Sequence, residues 1–244
     1  DPPERKPYWF NLQDPEQNYG LLAAYPGYPG KKVTLTCSKD EWKGATVLYE
    51  KAGTAMTFRF KDGSDDVRRL SRLAVQHDEG FLYLRLETAR PVDFTRAHYL
   101  IGLDTGPSAA GERLLPFRTN LLSPVGLTFL VHLAGKEKSR ILVAAPYDRY
   151  VNAASGVVRP LASDAGAWVM MQNQTNRRRI SRDGSRFYPA QVASVSRLRF
   201  GCLEPGEAAY NSLADFFFRE NAIELRIPWN LINFTDPSSS SVLW

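Results

Sequence analysis

The chain has 244 residues, of which 43% are hydrophobic and 12% aromatic, so it has enough apolar side chains to bury a large core. Its formal net charge is +5, and most of the excess lies in residues 177–199, so the totals exclude a globally basic protein. No apolar run approaches the roughly 18 residues that a membrane span needs, so we expect no membrane span.

Residues 1–30 are rich in proline and aromatic residues and end in PGYPG. Such a composition is typical of an extended segment rather than of a helix or strand. Because a free linker would leave many aromatic rings in water, we expect residues 1–30 to be a connector that lies across the domain or a neighbouring domain. Residues 31–244 are then expected to form a single domain.

The first half of that domain contains several patterns of short strands. The runs 31–37, 46–50 and 55–60 are rich in β-formers. Residues 73–77 and 81–86 alternate around Asp78-Glu79-Gly80, which predicts a tight antiparallel hairpin. The run 99–103 is apolar on both faces and predicts a central strand beside that hairpin.

The second half of the domain also contains several patterns of short strands. Residues 126–133 and 139–145 alternate around a turn at 135–138, and 167–175 is a further strand candidate. Residues 176–191 read as an arginine-rich hairpin with Asp183-Gly184 at its tip, and strands are predicted at 194–201 and 222–227. Many short antiparallel strands predict an all-β fold, a two-sheet antiparallel β-sandwich of the immunoglobulin-like or jelly-roll-like kind with an extended N-terminal lead-in.

Standard catalytic motifs are missing: the sequence has no glycine-rich nucleotide loop, no G-x-S-x-G and no H-E-x-x-H. The three histidines lack a second ligand at metal spacing, which favours structural roles. A glycosidase would need two carboxylates at a fixed separation, and the sequence does not single out such a pair. Cys37 and Cys202 are either one disulfide bridge, which would imply an oxidising compartment, or two free thiols.

Aromatic residues with neighbouring amides and arginines offer a better lead to function. Sugar rings stack their C–H faces on exposed aromatic rings, while Asn, Gln and Arg side chains bond the hydroxyl groups. For Trp168, which stands beside Val169 and Met170, a place in the core is the alternative. The predicted ligand-binding residues are Trp168, Gln172, Asn173, Asn176 and Arg177, with a second set at Tyr147 and Tyr150.

The arginines of residues 177–199 outnumber the single acidic residue in that stretch, Asp183, seven to one. A solvated face is the simplest interpretation. Only Phe187 and Tyr188 are interleaved with the arginines, which disfavours a nucleic-acid site and favours an acidic glycan or an acidic face of a neighbouring domain. We therefore expect Arg177, Arg178 and Arg179 to line an exposed surface.

Four segments in a fixed order, DEWKGATV, LAVQHDEGFLYLRLE, HYLIGLDTGP and AIELRIPWNLINF, resemble the family 9 carbohydrate-binding modules and the related DOMON-like β-sandwiches. The resemblance covers residues 38–234 with loose spacing and assigns Trp42 and Trp229 to the core. Residues 1–30 also look like the connector that follows a glycoside-hydrolase-like barrel in large bacterial surface or secreted proteins. Where the family holds a sugar-stacking Trp, this chain has Phe94, and the strand's acidic residue falls near Leu100.

The resemblance implies a non-catalytic, extracellular or cell-surface accessory domain of a larger carbohydrate-active protein, with a polysaccharide or oligosaccharide as ligand. Family members often hold a structural calcium ion, which is the one cofactor the resemblance implies; the metal ligands in this chain are unknown. The alternative is a structural domain that packs on a neighbouring domain of the same chain without binding glycan. An enzyme domain is a third interpretation.

Overall fold

A computed structural model of the chain describes residues 32–50, 69–106, 111–117, 119–145, 167–176, 178–236 and 241–242. The expected connector, the strand predicted at 55–60 and the site residues Tyr147, Tyr150 and Arg177 lie outside these ranges. Within them the protein is all-β, with antiparallel sheets that form a β-sandwich and do not close into a barrel. The predicted fold class is therefore confirmed.

Sheet one has five antiparallel strands in the spatial order β1-β2-β3-β15-β14. The predicted hairpin of β2 and β3 is confirmed, and the Asp78 side chain closes it by accepting the backbone N–H groups of Gly80 and Phe81, both at 2.8 Å. Its Oδ2 also accepts the hydroxyl of Tyr83 at 2.7 Å. The strands are β1 (Thr46–Glu50), β2 (Leu70–His77), β3 (Phe81–Thr88), β14 (Phe216–Arg219) and β15 (Ala222–Pro228).

Sheet two has four antiparallel strands in the order β4-β7-β8-β9. The predicted pairing of the runs around residues 135–138 is confirmed, with Phe129 opposite Val143 and His132 opposite Arg140. The strands are β4 (Tyr99–Leu103), β7 (Phe129–Leu133), β8 (Arg140–Ala144) and β9 (Trp168–Met170).

Strand β4 was expected beside the β2–β3 hairpin at the centre of a sheet, and this expectation is wrong. It lies at the edge of sheet two and pairs only with β7 among the described strands. Both of its faces are nevertheless apolar. Tyr99 belongs to the core between the sheets, and Leu100 packs on the opposite side against the apolar cluster that contains Trp168. A strand between two apolar layers has the same pattern as a central strand.

Four two-stranded ribbons and two short 3-10 turns complete the described part. One ribbon includes residues 112–114. The 3-10 turns are Lys39–Trp42 and Trp229–Ile232. The ribbons are β5 (Glu112–Leu114) with β6 (Leu122–Leu127), β10 (Gln172–Asn176) with β13 (Gln191–Ser194), β11 (Arg179–Ile180) with β12 (Phe187–Tyr188), and β16 (Phe234–Asp236) with β17 (Ser241–Val242).

The main core lies between the two sheets, because one face of each strand is apolar. Sheet one contributes Leu84 and Leu225, and sheet two contributes Phe129 and Val143, all at most 4% exposed. Burial of such side chains is worth about 1.5–3 kcal/mol each and is the principal stabilising term of the sandwich.

The outer face of sheet one is also covered. Of the strand predicted at 31–37, the described residues 32–37 are not a strand, because Leu35 and Cys37 have positive φ values of 56° and 61° that a regular strand does not accommodate. Val33 and Leu35 instead pack, fully buried, over Tyr83 in a second apolar cluster. Residues 194–201, also predicted as a strand, contribute the last residue of β13 and then only isolated bridges, at Arg197 and Phe200.

A buried charged network occupies this covered face. Glu224, which is 0% exposed, accepts the Trp42 indole N–H at 2.7 Å, the Arg85 Nη1 at 2.5 Å and the Cys37 backbone N–H at 2.9 Å. Arg85 also donates to Glu87 at 2.8 Å. Burial raises the pKa of Glu224 and outweighs the hydrogen bonds that lower it. These bonds connect the segment that contains Trp42 with strand β15, which contains Glu224. Trp42, Arg85 and Glu224 therefore stabilise the fold.

The core roles expected of the two tryptophans differ in degree. Trp42 is 2% exposed, which confirms its assignment to the core. Trp229 is half-buried, packs against the main core and donates its indole N–H to the Asp78 carbonyl at 2.8 Å. Neither ring is an exposed stacking surface.

Candidate functional site

The outer face of sheet two is divided into an apolar half and a polar half. In the apolar half, Leu130, Leu142 and Trp168 pack under Leu127 at the end of the β5–β6 ribbon. Trp168 is 0% exposed and donates its indole N–H to the Leu114 carbonyl at 2.8 Å. The ring therefore has no free face for a sugar, and the role of Trp168 is corrected to the core, where its apolar strand neighbours place it.

The polar half is open and forms a cleft of about 460 Å³, a volume within the range of about 300–1,000 Å³ that small-molecule sites occupy. The cleft lies where the outer face of sheet two meets the turn at 135–138 and the end of β13. It is called the outer cleft below, and its lining residues are His98, His132, Ala134, Glu137, Lys138, Ser139, Arg140, Met170, Ser194 and Arg197.

Two histidines form one wall of the outer cleft. His132 Nε2 and His98 Nδ1 are 3.2 Å apart and share a hydrogen bond, and the Phe117 ring packs on His132 at 4.3 Å between centroids. Burial lowers the pKa of His132 to about 4, helped by the nearby charge of Arg140 and by His98. His132 is therefore neutral at neutral pH. Its Nδ1 is buried and has no hydrogen-bond partner among the described residues.

Arg140 supplies the charge at the base of the outer cleft. Its guanidinium lies over the Phe117 ring at 5.2 Å, and its Nη1 faces the Met170 sulfur at 3.8 Å. Its Nε is buried without a partner, and within the described ranges no carboxylate pairs with it. At the rim, exposed Arg197 pairs with exposed Glu137. The cleft is thus a positively charged pocket whose deepest cation has no acidic partner in the described part of the protein.

The arginine-rich hairpin predicted at 176–191 is confirmed by the pairing of β11 with β12, and its described residues 178–188 are called the arginine hairpin below. The backbone N–H of Gly184 donates to the Ser181 carbonyl at 2.9 Å, and Gly184 has the positive φ of 73° that the turn requires. Hydrogen bonds from Ser181 and Ser185 lower the pKa of Asp183 to about 2. The tip is therefore held together by its own side chains, and its one carboxylate is used there.

The arginine hairpin presents aromatic and basic side chains to solvent. Phe187 and Tyr188 are 56% and 49% exposed, and the Arg178 guanidinium lies over the Phe187 ring at 5.0 Å. Arg178 and Arg179 are both exposed, as the sequence predicted. Exposed aromatic rings beside guanidinium groups are typical of surfaces that bind extended polar ligands.

The β10–β13 ribbon connects the arginine hairpin to the outer cleft. Ser194 lines the cleft and is paired with Gln172 at one end of the ribbon, while Asn176 and Gln191 are paired at the other end, where the hairpin begins. The chain from Ser194 to Tyr188 therefore leads from the cleft to the arginine hairpin.

The predicted site residues fall into three groups. Trp168 belongs to the core; Tyr147, Tyr150 and Arg177 lie outside the described residues. Gln172, Asn173 and Asn176 belong to β10, whose side chains lie outside the description, so their ligand role stays a prediction.

Sequence reasoning missed His98, His132 and Arg140. The signal for two of them was available, because His132 and Arg140 alternate with core residues on adjacent strands and the hairpin register places them opposite each other. Sequence spacing alone does not bring His98 to them.

Several expectations about metals, redox state and membranes meet simple findings. In the described ranges no three His, Cys, Asp or Glu side chains form a group that could hold a metal ion.

Cys37 and Cys202 are free thiols that both contact the second apolar cluster. They form no disulfide bridge, so they give no argument for an oxidising compartment. Burial raises the pKa of Cys37 to about 12. Among the described residues, no helix has the length and apolar character needed to cross a membrane.

Comparison with known proteins identifies no relative: the chain matches no family model, no curated protein sequence and no solved structure.

Proposed function

We propose that this chain is a non-catalytic, extracellular or cell-surface accessory domain that binds a polysaccharide or oligosaccharide for a larger carbohydrate-active protein. The exposed pair of rings on the arginine hairpin, Phe187 and Tyr188, is the observation that carries this proposal. Sugar rings stack on such surfaces through their C–H faces, and neighbouring guanidinium groups donate to hydroxyl oxygens. The resemblance to family 9 carbohydrate-binding modules and DOMON-like domains agrees with it and remains part of the proposal.

The composition of the outer cleft favours binding over glycoside hydrolysis. Hydrolysis by the usual route needs two carboxylates, one as acid and one as base or nucleophile. Among the described residues that line the outer cleft, Glu137 is the one carboxylate, and Arg197 pairs with it at the exposed rim. The other charged side chains on the lining, Lys138 and Arg140, are cations. Cations attract an anionic ligand, and they cannot act as the carboxylic acid that hydrolysis needs.

Affinity gel retardation with a panel of neutral and acidic polysaccharides tests the proposal. The variant Phe187→Ala/Tyr188→Ala should lose retardation, with a rise in Kd of about tenfold or more, because the exposed rings on both faces of β12 are removed. Tyr210→Ala is the matched control, because Tyr210 is 49% exposed, like Tyr188, and lies away from the hairpin. Wild-type retardation in the hairpin variant, or no retardation by any glycan, would contradict the proposal.

A structural role on a neighbouring domain is the second candidate. It is favoured by the β5–β6 ribbon and its connecting loop, where Leu121 and Leu122 are 57% and 72% exposed. Exposed apolar side chains in one place are typical of contact surfaces. Under this alternative, Leu121→Ser/Leu122→Ser would change association with the neighbouring domain and leave glycan retardation absent in all variants.

A further inference from the structure

We propose that the outer cleft is a subsite for the carboxylate of an acidic sugar, such as a glucuronic or galacturonic acid residue, with Arg140 as the group that recognises it. This inference rests on the proposed function, since it names the class of sugar that the glycan-binding surface accepts. It is carried by an arginine that has no carboxylate partner among the described residues, at the base of a pocket large enough for a monosaccharide.

The charge environment of Arg140 points to a missing acidic partner. A buried arginine is almost always paired, because burying an unpaired charge is costly, and Arg140 is partly buried. The Arg140 guanidinium lies over an aromatic ring and faces a thioether, both weak partners, and among the described residues its buried Nε has no hydrogen-bond partner. Lys138 adds a second cation to the lining. A carboxylate that enters the cleft supplies the oxygen acceptors that the described protein does not.

Packing on Phe117 holds Arg140 in place. The Phe117 ring lies 4.3 Å from the His132 ring between centroids, and the Arg140 guanidinium lies 5.2 Å from the centroid of the same Phe117 ring. His132 is 6% exposed, and its Nε2 is engaged with His98. The guanidinium is thereby supported by packing rather than by an ion pair, so it is positioned before a ligand arrives, which lowers the entropy cost of binding.

The groups on the cleft lining match those of an acidic sugar. A guanidinium matches a planar carboxylate through two parallel hydrogen bonds, and it favours carboxylate and phosphate over neutral hydroxyls. The lining also offers apolar surface at Ala134 and Met170, and a hydroxyl group at Ser194. A sugar acid combines a carboxylate, an apolar ring face and several hydroxyls, which is the set of groups that this lining complements. A free inorganic anion would leave the apolar part of the lining without a contact and most of the cleft volume empty.

Imidazole NMR signals provide a direct test, because the chain has only three histidines. Titration with glucuronate should shift the ring signals of His98 and His132. The signals of His77, which lies in sheet one and packs on Trp229, should not change. Glucose and the methyl ester of glucuronic acid, which keep the ring and remove the charge, should cause no shift at the same concentrations. Higher salt should weaken the glucuronate response.

Substitution then assigns the effect to Arg140. Arg140→Gln should raise the Kd for glucuronate about tenfold or more. The control Arg113→Gln removes an exposed charge from β5, which is not part of the outer-cleft lining, and should leave the Kd unchanged. Should Arg140→Gln fail to fold, Arg140→Lys keeps the charge and loses the two-pronged donor geometry, and we expect it to bind several-fold more weakly than wild type.

Three results would overturn the inference: equal binding of the methyl ester, equal binding of glucose 6-sulfate in place of the carboxylate, or wild-type affinity in the Arg140 variants. Retention of polysaccharide through Phe187 and Tyr188 with no response in the cleft would reject this inference and leave the proposed function standing. Glucuronate binding in the cleft with no retention of any polysaccharide would reject the proposed function instead.

Discussion

Arg85 of sheet one and Arg140 of sheet two occupy comparable positions, each on the outer face of its sheet, and their surroundings are opposite. Arg85 is 2% exposed and reaches two carboxylates, Glu87 and Glu224. Arg140 reaches no carboxylate in the described part of the protein and borders an open cleft. The difference teaches that the charge on sheet one is part of the scaffold, and the charge on sheet two is available to a ligand.

The covering layers explain this difference. Over sheet one, Val33, Leu35 and Trp42 exclude water, so each polar atom beneath them needs a partner from the protein. Over sheet two, the β5–β6 ribbon covers only the apolar half, and the half with His132 and Arg140 stays open. A buried polar atom beside an open cleft can be satisfied by whatever the cleft binds.

The largest expected effect is the loss of Glu224. Glu224→Leu removes the acceptor of three donors and leaves Arg85 buried beside Glu87 alone, so the free energy of unfolding should fall by about 3–5 kcal/mol. Urea unfolding measures this change. The double variant Arg85→Met/Glu224→Leu should cost less than Glu224→Leu alone, since it removes the unpaired charge. A loss below about 1 kcal/mol in Glu224→Leu would mean that the network is not a scaffold element.

A smaller effect concerns pH and His132. The pKa of His132 is about 4 in the folded protein, below the ordinary value of 6.5, so the unfolded chain binds its proton first as pH falls. Stability should therefore fall between pH about 6.5 and about 4, by about 1–3 kcal/mol after allowance for screening in the cleft, and no further below pH 4.

Asp215 opposes this trend and requires a control. Burial raises the pKa of Asp215 to about 6, so the folded protein binds that proton first and gains stability as pH falls from about 6 to about 4. Comparing wild type with His132→Phe, which keeps the packing on Phe117, cancels the Asp215 contribution. The wild type should lose stability relative to His132→Phe as the pH decreases, and a constant difference would contradict a neutral buried histidine.

The smallest effect on stability is expected at the arginine hairpin. Arg177→Ala/Arg178→Ala/Arg179→Ala should change the free energy of unfolding by at most about 0.5 kcal/mol, because Arg178 and Arg179 are exposed. Binding of an acidic polysaccharide should weaken in this variant, and in wild type it should weaken between low and physiological salt. Binding that ignores both salt and the triple substitution would show that these arginines play no part in recognition.

Much of the fold could be predicted from local patterns. Strand alternation and turn residues gave the β2–β3 hairpin, the β7–β8 pair and the arginine hairpin, because each is formed by neighbours in the sequence. Sheet membership could not be predicted, and β4 shows why. Its two apolar faces result from an outer layer contributed by Leu127 and Trp168, and a central strand would show the same alternation.

The site was harder to predict than the fold. Trp168 was favoured because sugar-binding sites use tryptophan, yet its indole N–H finds a partner inside the protein and its ring is covered. His98 and Arg140 are 42 positions apart, and only the pairing of β4, β7 and β8 brings them to one cleft. The arginine hairpin was visible in the sequence because its basic and aromatic residues are contiguous.

The comparison between the two sheets is tested most directly by measuring stability and acidic-glycan binding in Arg85→Gln and Arg140→Gln side by side. Arg85→Gln should lower the free energy of unfolding by about 3–5 kcal/mol and leave the Kd of the folded protein for glucuronate unchanged. Arg140→Gln should change stability by less than about 1 kcal/mol and raise that Kd about tenfold or more. The account would be contradicted if Arg140→Gln were as destabilising as Arg85→Gln while glucuronate still bound with wild-type affinity.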